Sequence, residues 1–128
     1  MIERYSIPGA VVPRGPYSHA VRAGDFIFVS GQGPLDPATN DFSFGSIEHE
    51  TRIVLNNIKL ILEAAGASLT DVVKCSVFLR SGGDFAAMNA VFGEFFGEQK
   101  PARTTVESKF ANPTMKVEID CIAYQPKA

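Results

Sequence analysis

Between Lys116 and Tyr124 the chain alternates without a break. Val117, Ile119, Cys121 and Ala123 take one parity, and Glu118, Asp120, Ile122 and Tyr124 take the other. Successive residues of a strand point to opposite faces, so this segment reads as a strand with one apolar and one mixed face. Such a strand needs a sheet beside it and a second layer over its apolar side. The run Pro101-Ala102-Arg103-Thr104-Thr105-Val106 alternates too, with Ala102, Thr104 and Val106 on one face and Arg103, Thr105 and Glu107 on the other. If the two strands lie close together, Arg103 and Glu118 share a face with hydroxyls between them. A guanidinium fork there suits a carboxylate, and a neighbouring Glu suits the orienting of a water.

The rest of the chain supplies the other strands and the covering layer. Ile2 to Ile7 reads as a short strand ended by Pro8-Gly9. Ser18 to Arg22 and Phe26 to Gln32 read as two more, joined by a two-residue Gly24-Asp25 hairpin. Gly33 through Gly45 reads as loop. Ser46 is placed to cap a helix with Glu48 and Glu50 in its first turn, and Thr51, Val54, Leu55, Ile58, Ile61, Leu62 and Ala65 form its stripe up to Gly66. Val72 to Leu79 follows as a strand with Val73, Cys75, Val77 and Leu79 on one side. Asp84 is placed to cap a second helix, whose stripe is Phe85, Met88, Val91, Phe92, Phe95 and Phe96. The order is three strands, helix, strand, helix, two strands. That order predicts a single α+β domain over 1–128, a mixed sheet with two helices on one face. The uncovered face then carries Phe26, Phe28, Phe78, Ile122 and Tyr124 among Lys74, Arg103, Glu118 and Asp120, too much aromatic surface to face water. A homo-oligomer built on this face is expected.

Charge and composition narrow the function classes. Twelve Lys and Arg against fourteen Asp and Glu give a formal charge of −2, with no basic cluster, so nucleic-acid binding is not expected. No apolar run is long enough to span a membrane, and Met1-Ile2-Glu3-Arg4 does not open a signal peptide, so a cytoplasmic location is expected. Cys75 and Cys121 fall on apolar strand faces and read as buried reduced thiols. Two His and two Cys show no ligand spacing, so no metal site is expected.

Several short runs, in this order, resemble the Rid/YjgF family. They are Gly15-Pro16-Tyr17-Ser18, Val29-Ser30-Gly31-Gln32, Pro34-Leu35-Asp36-Pro37, Asp84-Phe85-Ala86-Ala87-Met88-Asn89, Pro101-Ala102-Arg103-Thr104-Thr105 and Val117-Glu118-Ile119. The resemblance spans nearly the whole chain. It implies a chorismate-mutase-like fold, a trimer with its sheets facing inward, and ligand sites in clefts between subunits. It also implies hydrolysis of reactive enamine or imine acids, such as 2-aminoacrylate and its imine, to a 2-keto acid and ammonia, without a cofactor. Such an activity would protect pyridoxal-phosphate enzymes or serve a catabolic route. By the same resemblance, Arg103 matches the carboxylate-binding Arg and Glu118 the Glu associated with the attacking water. Tyr17, Ser30, Gly31 and Asn89 match pocket-lining positions, and Thr105 stands where many deaminases of the family carry Cys. Arg14, His19 and Gly33 also depart from the family pattern. A second cation at Arg14 would suit a dicarboxylate such as an aminomuconate-like acid.

Other readings stand beside these. Arg103 and Glu118 could form an ion pair with each other or across an interface. Asn89 could be a polar group on a helix surface, and Tyr17 a packed loop aromatic. The hairpin register sets His19 opposite Ser30, a base beside a nucleophile, although no nucleophile-elbow motif accompanies them. Beyond the deaminase, two classes are compatible with the resemblance: an endoribonuclease, and a non-enzymatic trimer that binds small carboxylates and regulates a partner.

Overall fold

The computed structural model describes residues 1–127. A six-stranded sheet has the order β1 (Ile2–Tyr5), β2 (Ala20–Ala23), β3 (Phe26–Gln32), β8 (Val117–Tyr124), β6 (Val72–Leu79), β7 (Ala102–Glu107). All neighbours pair antiparallel except β6 and β7, which are parallel and joined by a helical crossover. Helices α1 (Ile47–Ala64) and α2 (Phe85–Phe96) cover one face, giving the expected two-layer α+β arrangement on a mixed sheet. A separate two-stranded ribbon, β4 (Leu35–Asp36) with β5 (Asp41–Phe42), lies in the segment expected to be loop. Its turn is closed by Asn40 in the left-handed region (φ 59°), which Asn tolerates.

The alternation of β8 is realised in full. Val117, Ile119, Cys121 and Ala123 are at most 2% exposed and meet the α1 stripe of Val54, Leu55, Ile58, Ile61 and Leu62. Ser46 caps α1 by accepting from the His49 N–H at 3.1 Å. At the other end Gly66 (φ 89°) turns the chain left-handed. Ala67 N–H then reaches Leu62 O at 2.8 Å, and Gly66 N–H reaches Glu63 O at 3.1 Å, satisfying carbonyls that the helix leaves open. Glu50, read only as a favourable first-turn charge, is completely buried. Its carboxylate accepts from the Lys116 N–H (2.8 Å), the Gly45 N–H (3.2 Å) and the Lys116 ammonium (3.3 Å), tying α1 to the start of β8.

Four local expectations fail. Strand β2 begins at Ala20 rather than Ser18. Asp84 does not cap α2; Ser81 Oγ accepts from Gly83 N–H and a short 3₁₀ turn, Gly82–Asp84, leads into the helix. Phe85 is therefore outside the core stripe and half exposed. Val73 faces outward and Val72 inward, because the β6–β8 register slips by one residue between Val72 and Lys74.

The fourth difference matters most for the site. Parallel pairing sets Arg103 beside Cys75, while antiparallel pairing sets Glu118 beside Phe78. Cys75 faces the helices, whereas Phe78 faces the uncovered side. Arg103 and Glu118 therefore occupy opposite faces of the sheet, and the uncovered face carries Ala102, Thr104 and Val106 where Arg103 was expected.

Candidate functional site

Glu118 lies against β3 at a local irregularity. The register runs Val29 to Cys121 and then Gln32 to Ile119, so β3 holds one extra residue around Ser30-Gly31. The bulge presents the bare Cα of Gly31 to the Glu118 carboxylate. A Cβ at Gly31 would fall 2.6 Å from Glu118 Oε2, so the carboxylate keeps this position only while residue 31 has no side chain. Burial pushes the Glu118 carboxyl above its ordinary value, and the negative charge of Asp120, on the same face, pushes it further. No cation among the described residues pairs with it.

A cavity of about 270 Å³ opens beside Glu118. Its walls include Tyr17 and Arg14 from the loop before β2, Gly31 and Gln32 from the bulge, Phe42 from β5 and Met115 before β8. His19 pins the loop: its Nδ1 accepts from Ile7 N–H at 2.9 Å, and its Nε2–H donates to Val11 O at 2.6 Å. Those partners together fit the neutral Nε2–H tautomer. Tyr17 Oη accepts the Arg14 N–H at 3.2 Å, which sets the ring at the cavity mouth. Ser30 does sit opposite His19, as the hairpin register requires, and its N–H bonds His19 O at 3.1 Å. Yet Ser30 Oγ donates to Ser18 O at 2.6 Å, and both His19 nitrogens are engaged elsewhere, so the two form no catalytic dyad.

A second cavity, also about 270 Å³, opens on the helix side of the sheet, at the junction of α2 and β7. Arg103 and Asn89 line it, with Phe92, Phe96 and Lys100. The guanidinium carbon of Arg103 lies 4.8 Å from the Phe92 ring centre and 5.5 Å from that of Phe85, and Nη1 is 3.8 Å from Met88 Sδ. It thus has aromatic and sulfur contacts but, among the described residues, no carboxylate partner. Burial lowers its pKa from the ordinary value. Close by in sequence and fold, Asn89 Oδ1 and Thr105 Oγ1 are buried with no hydrogen-bond partner. Orphaned buried polar atoms cost stability unless something supplies a partner. Cys75 beneath it is inert, its thiol pushed up to about 12 by burial and by Asp120, and burial raises Cys121 as well.

The candidate residues thus divide in two. Tyr17, Gly31 and Glu118 gather around one cavity, with Ser30 in the bulge beside it; Arg103 and Asn89 meet at the other, and Thr105 shares their sheet face. Phe42, Gln32 and Met115 were not singled out from the sequence. Phe42 belongs to the unforeseen ribbon, and Met115 stands in an irregular stretch with no periodicity to mark it.

A family model described as Endoribonuclease L-PSP matches residues 8–125. The YjgF gene product of E. coli superposes with a TM-score of 0.88 at 36% identity, covering 95% of this chain and 98% of that one. The chain belongs to the Rid/YjgF family. Among its Rid/YjgF relatives, a RutC family protein of Pyrococcus horikoshii is 52% identical over 113 residues, which is 88% of this chain and 90% of the relative. A protein of Dermatophagoides farinae named 2-iminobutanoate/2-iminopropanoate deaminase is 41% identical over 117 residues, 91% of each.

Proposed function

We propose that the protein hydrolyses small 2-imino acids and their enamine tautomers to 2-keto acids and ammonia, at a site shared between two copies of the chain. The observation that carries this reading is Arg103: a partly buried guanidinium with no counter-ion among the described residues, steadied by two aromatic rings and lining a cavity with Asn89. A substrate carboxylate supplies the acceptors that the guanidinium lacks. The kinship with a protein named as a 2-imino acid deaminase supports the same substrate class.

Glu118 lies on the opposite face of its own sheet, so the reading assigns it to a neighbouring copy's Arg103. The uncovered face supports such an assembly. Phe26 and Tyr124 pack as a tilted pair with ring centres 5.3 Å apart, and with Phe28 they leave a patch of half-exposed aromatic rings that association would remove from water. A trimer closes this contact by repeating one head-to-tail interface.

The chemistry asks for positioning and one proton relay. Arg103 holds the substrate carboxylate, which fixes the protonated imine carbon beside a water at Glu118. The water oxygen adds to that carbon while Glu118 takes its proton, and the C=N electron pair moves onto nitrogen. Glu118 returns the proton to the amine of the carbinolamine. The C–N bond then breaks, the hydroxyl closes to the keto group, and its proton leaves with ammonia as ammonium. A carboxyl held above its ordinary pKa suits both halves of this relay.

The test generates 2-iminopropionate with an amino-acid oxidase and follows its loss by semicarbazide trapping. The wild type accelerates the loss, and Arg103→Ala falls at least about 100-fold in kcat/KM, the scale of a lost charge-assisted fork. Ligand binding without turnover, unchanged in Glu118→Gln, would instead favour a regulatory carboxylate binder.

A further inference from the structure

Resting on that reading, we infer that the substrate carries a second anionic group, and that Arg14 holds it. Arg14 lines the same cavity as Glu118, Tyr17 and Gly31, and among the described residues no other basic side chain lines it apart from His19, whose ring nitrogens are engaged by backbone groups. Its guanidinium is held in place rather than free. It stacks 4.9 Å from the Phe42 ring centre, and Nη2 donates to Asn40 O at 2.6 Å. The Asn40 turn also anchors the loop itself, since Asn40 Oδ1 accepts Val12 N–H at 2.9 Å. One backbone bond uses one of five guanidinium donors, and no ion pair among the described residues occupies the rest. A preorganised fork that lines a cavity yet ignores the carboxylate already in it is matched to an incoming anion.

The cavity of about 270 Å³ is walled on this chain by loop and bulge residues. Gly33 contributes to its shape: a Cβ there would meet Met115 Sδ at 2.8 Å, so the absent side chain lets Met115 lie in the wall. The structure therefore assigns a dicarboxylic imino acid as substrate. Its 1-carboxylate lies on Arg103, its imine carbon at Glu118, and its distal carboxylate on Arg14.

The experiment compares 2-iminopropionate with 2-iminoglutarate, each made in situ by an amino-acid oxidase. It also measures calorimetric binding of the products' analogues, 2-oxobutyrate and 2-oxoglutarate. Wild type favours the dicarboxylic imine by about tenfold in kcat/KM, the worth of one charge-assisted contact. Arg14→Gln collapses that ratio through KM, Arg14→Lys restores part of it, and 2-oxoglutarate binding follows the same order. Equal turnover of both imines, with Arg14→Gln leaving the ratio alone, overturns the inference while the deaminase reading stands. Arg14-dependent binding of 2-oxoglutarate without turnover of either imine leaves the anion subsite and removes the deaminase. Absence of turnover and of selective binding removes both.

Discussion

At the scale of single residues, the chain places two ionisable groups in settings that oppose their charge. Arg103 is partly buried against rings and sulfur, and Glu118 is packed against a bare glycine with a like charge nearby. Glu118 has a consequence for stability. Its carboxyl binds its proton more tightly folded than unfolded, so the unfolded chain ionises first as pH rises. The folded state therefore loses stability from the ordinary carboxylate range upward, through the raised folded value. Glu118→Gln lacks this loss. The variant should melt above wild type at pH 7, with the gap closing as pH falls through the raised folded value and gone once pH is below about 4, while imine hydrolysis drops roughly 10²- to 10⁴-fold. Thermal melts across that pH range check the point, and a variant that melts below wild type at neutral pH contradicts it.

At the scale of elements, the helices and inner strands were legible because each carries a strong period. The α1 stripe, its Ser46 cap and its Gly66 stop all lie where the residues indicate. Gly66 is there for its backbone: a Cβ would touch nothing within 4 Å, yet φ is 89°. Gly66→Ala should cost about 1 kcal/mol through the left-handed conformation alone, measured by denaturant unfolding. What alternation could not supply is the phase between strands. Each strand's parity was read correctly in β7 and β8, but β6 lies between them, one pairing is parallel, and β6 and β3 each hold a slipped register. Arg103 and Glu118 were for that reason assigned to one face when they sit on two. The β4–β5 ribbon was missed because two-residue strands leave no period to detect. Tyr17, Gly31 and Asn89 were legible only through resemblance, since a glycine beside a carboxylate has no pattern of its own. The buried Glu50 likewise looks like any first-turn acid until Lys116 is brought to it.

At the scale of the molecule, the candidate residues line two separate cavities on opposite faces of the sheet, which the proposed function reads as two half-sites. The helix-side cavity offers the Arg103 cation, the other the Glu118 carboxylate and a second cation, and the uncovered face offers exposed aromatic rings on which the proposed assembly would form. The account's central claim is that these halves complete each other across copies. It is tested most directly by co-expressing the Arg103→Ala and Glu118→Gln variants and assaying the mixed assembly for 2-iminopropionate hydrolysis. Each variant alone should be nearly inactive. In random mixtures about one interface in four joins an intact Arg103 to an intact Glu118, so activity should return to roughly a quarter of wild type. Mixed assemblies that form, by light scattering and mass, yet regain no activity would show that both groups act within one chain.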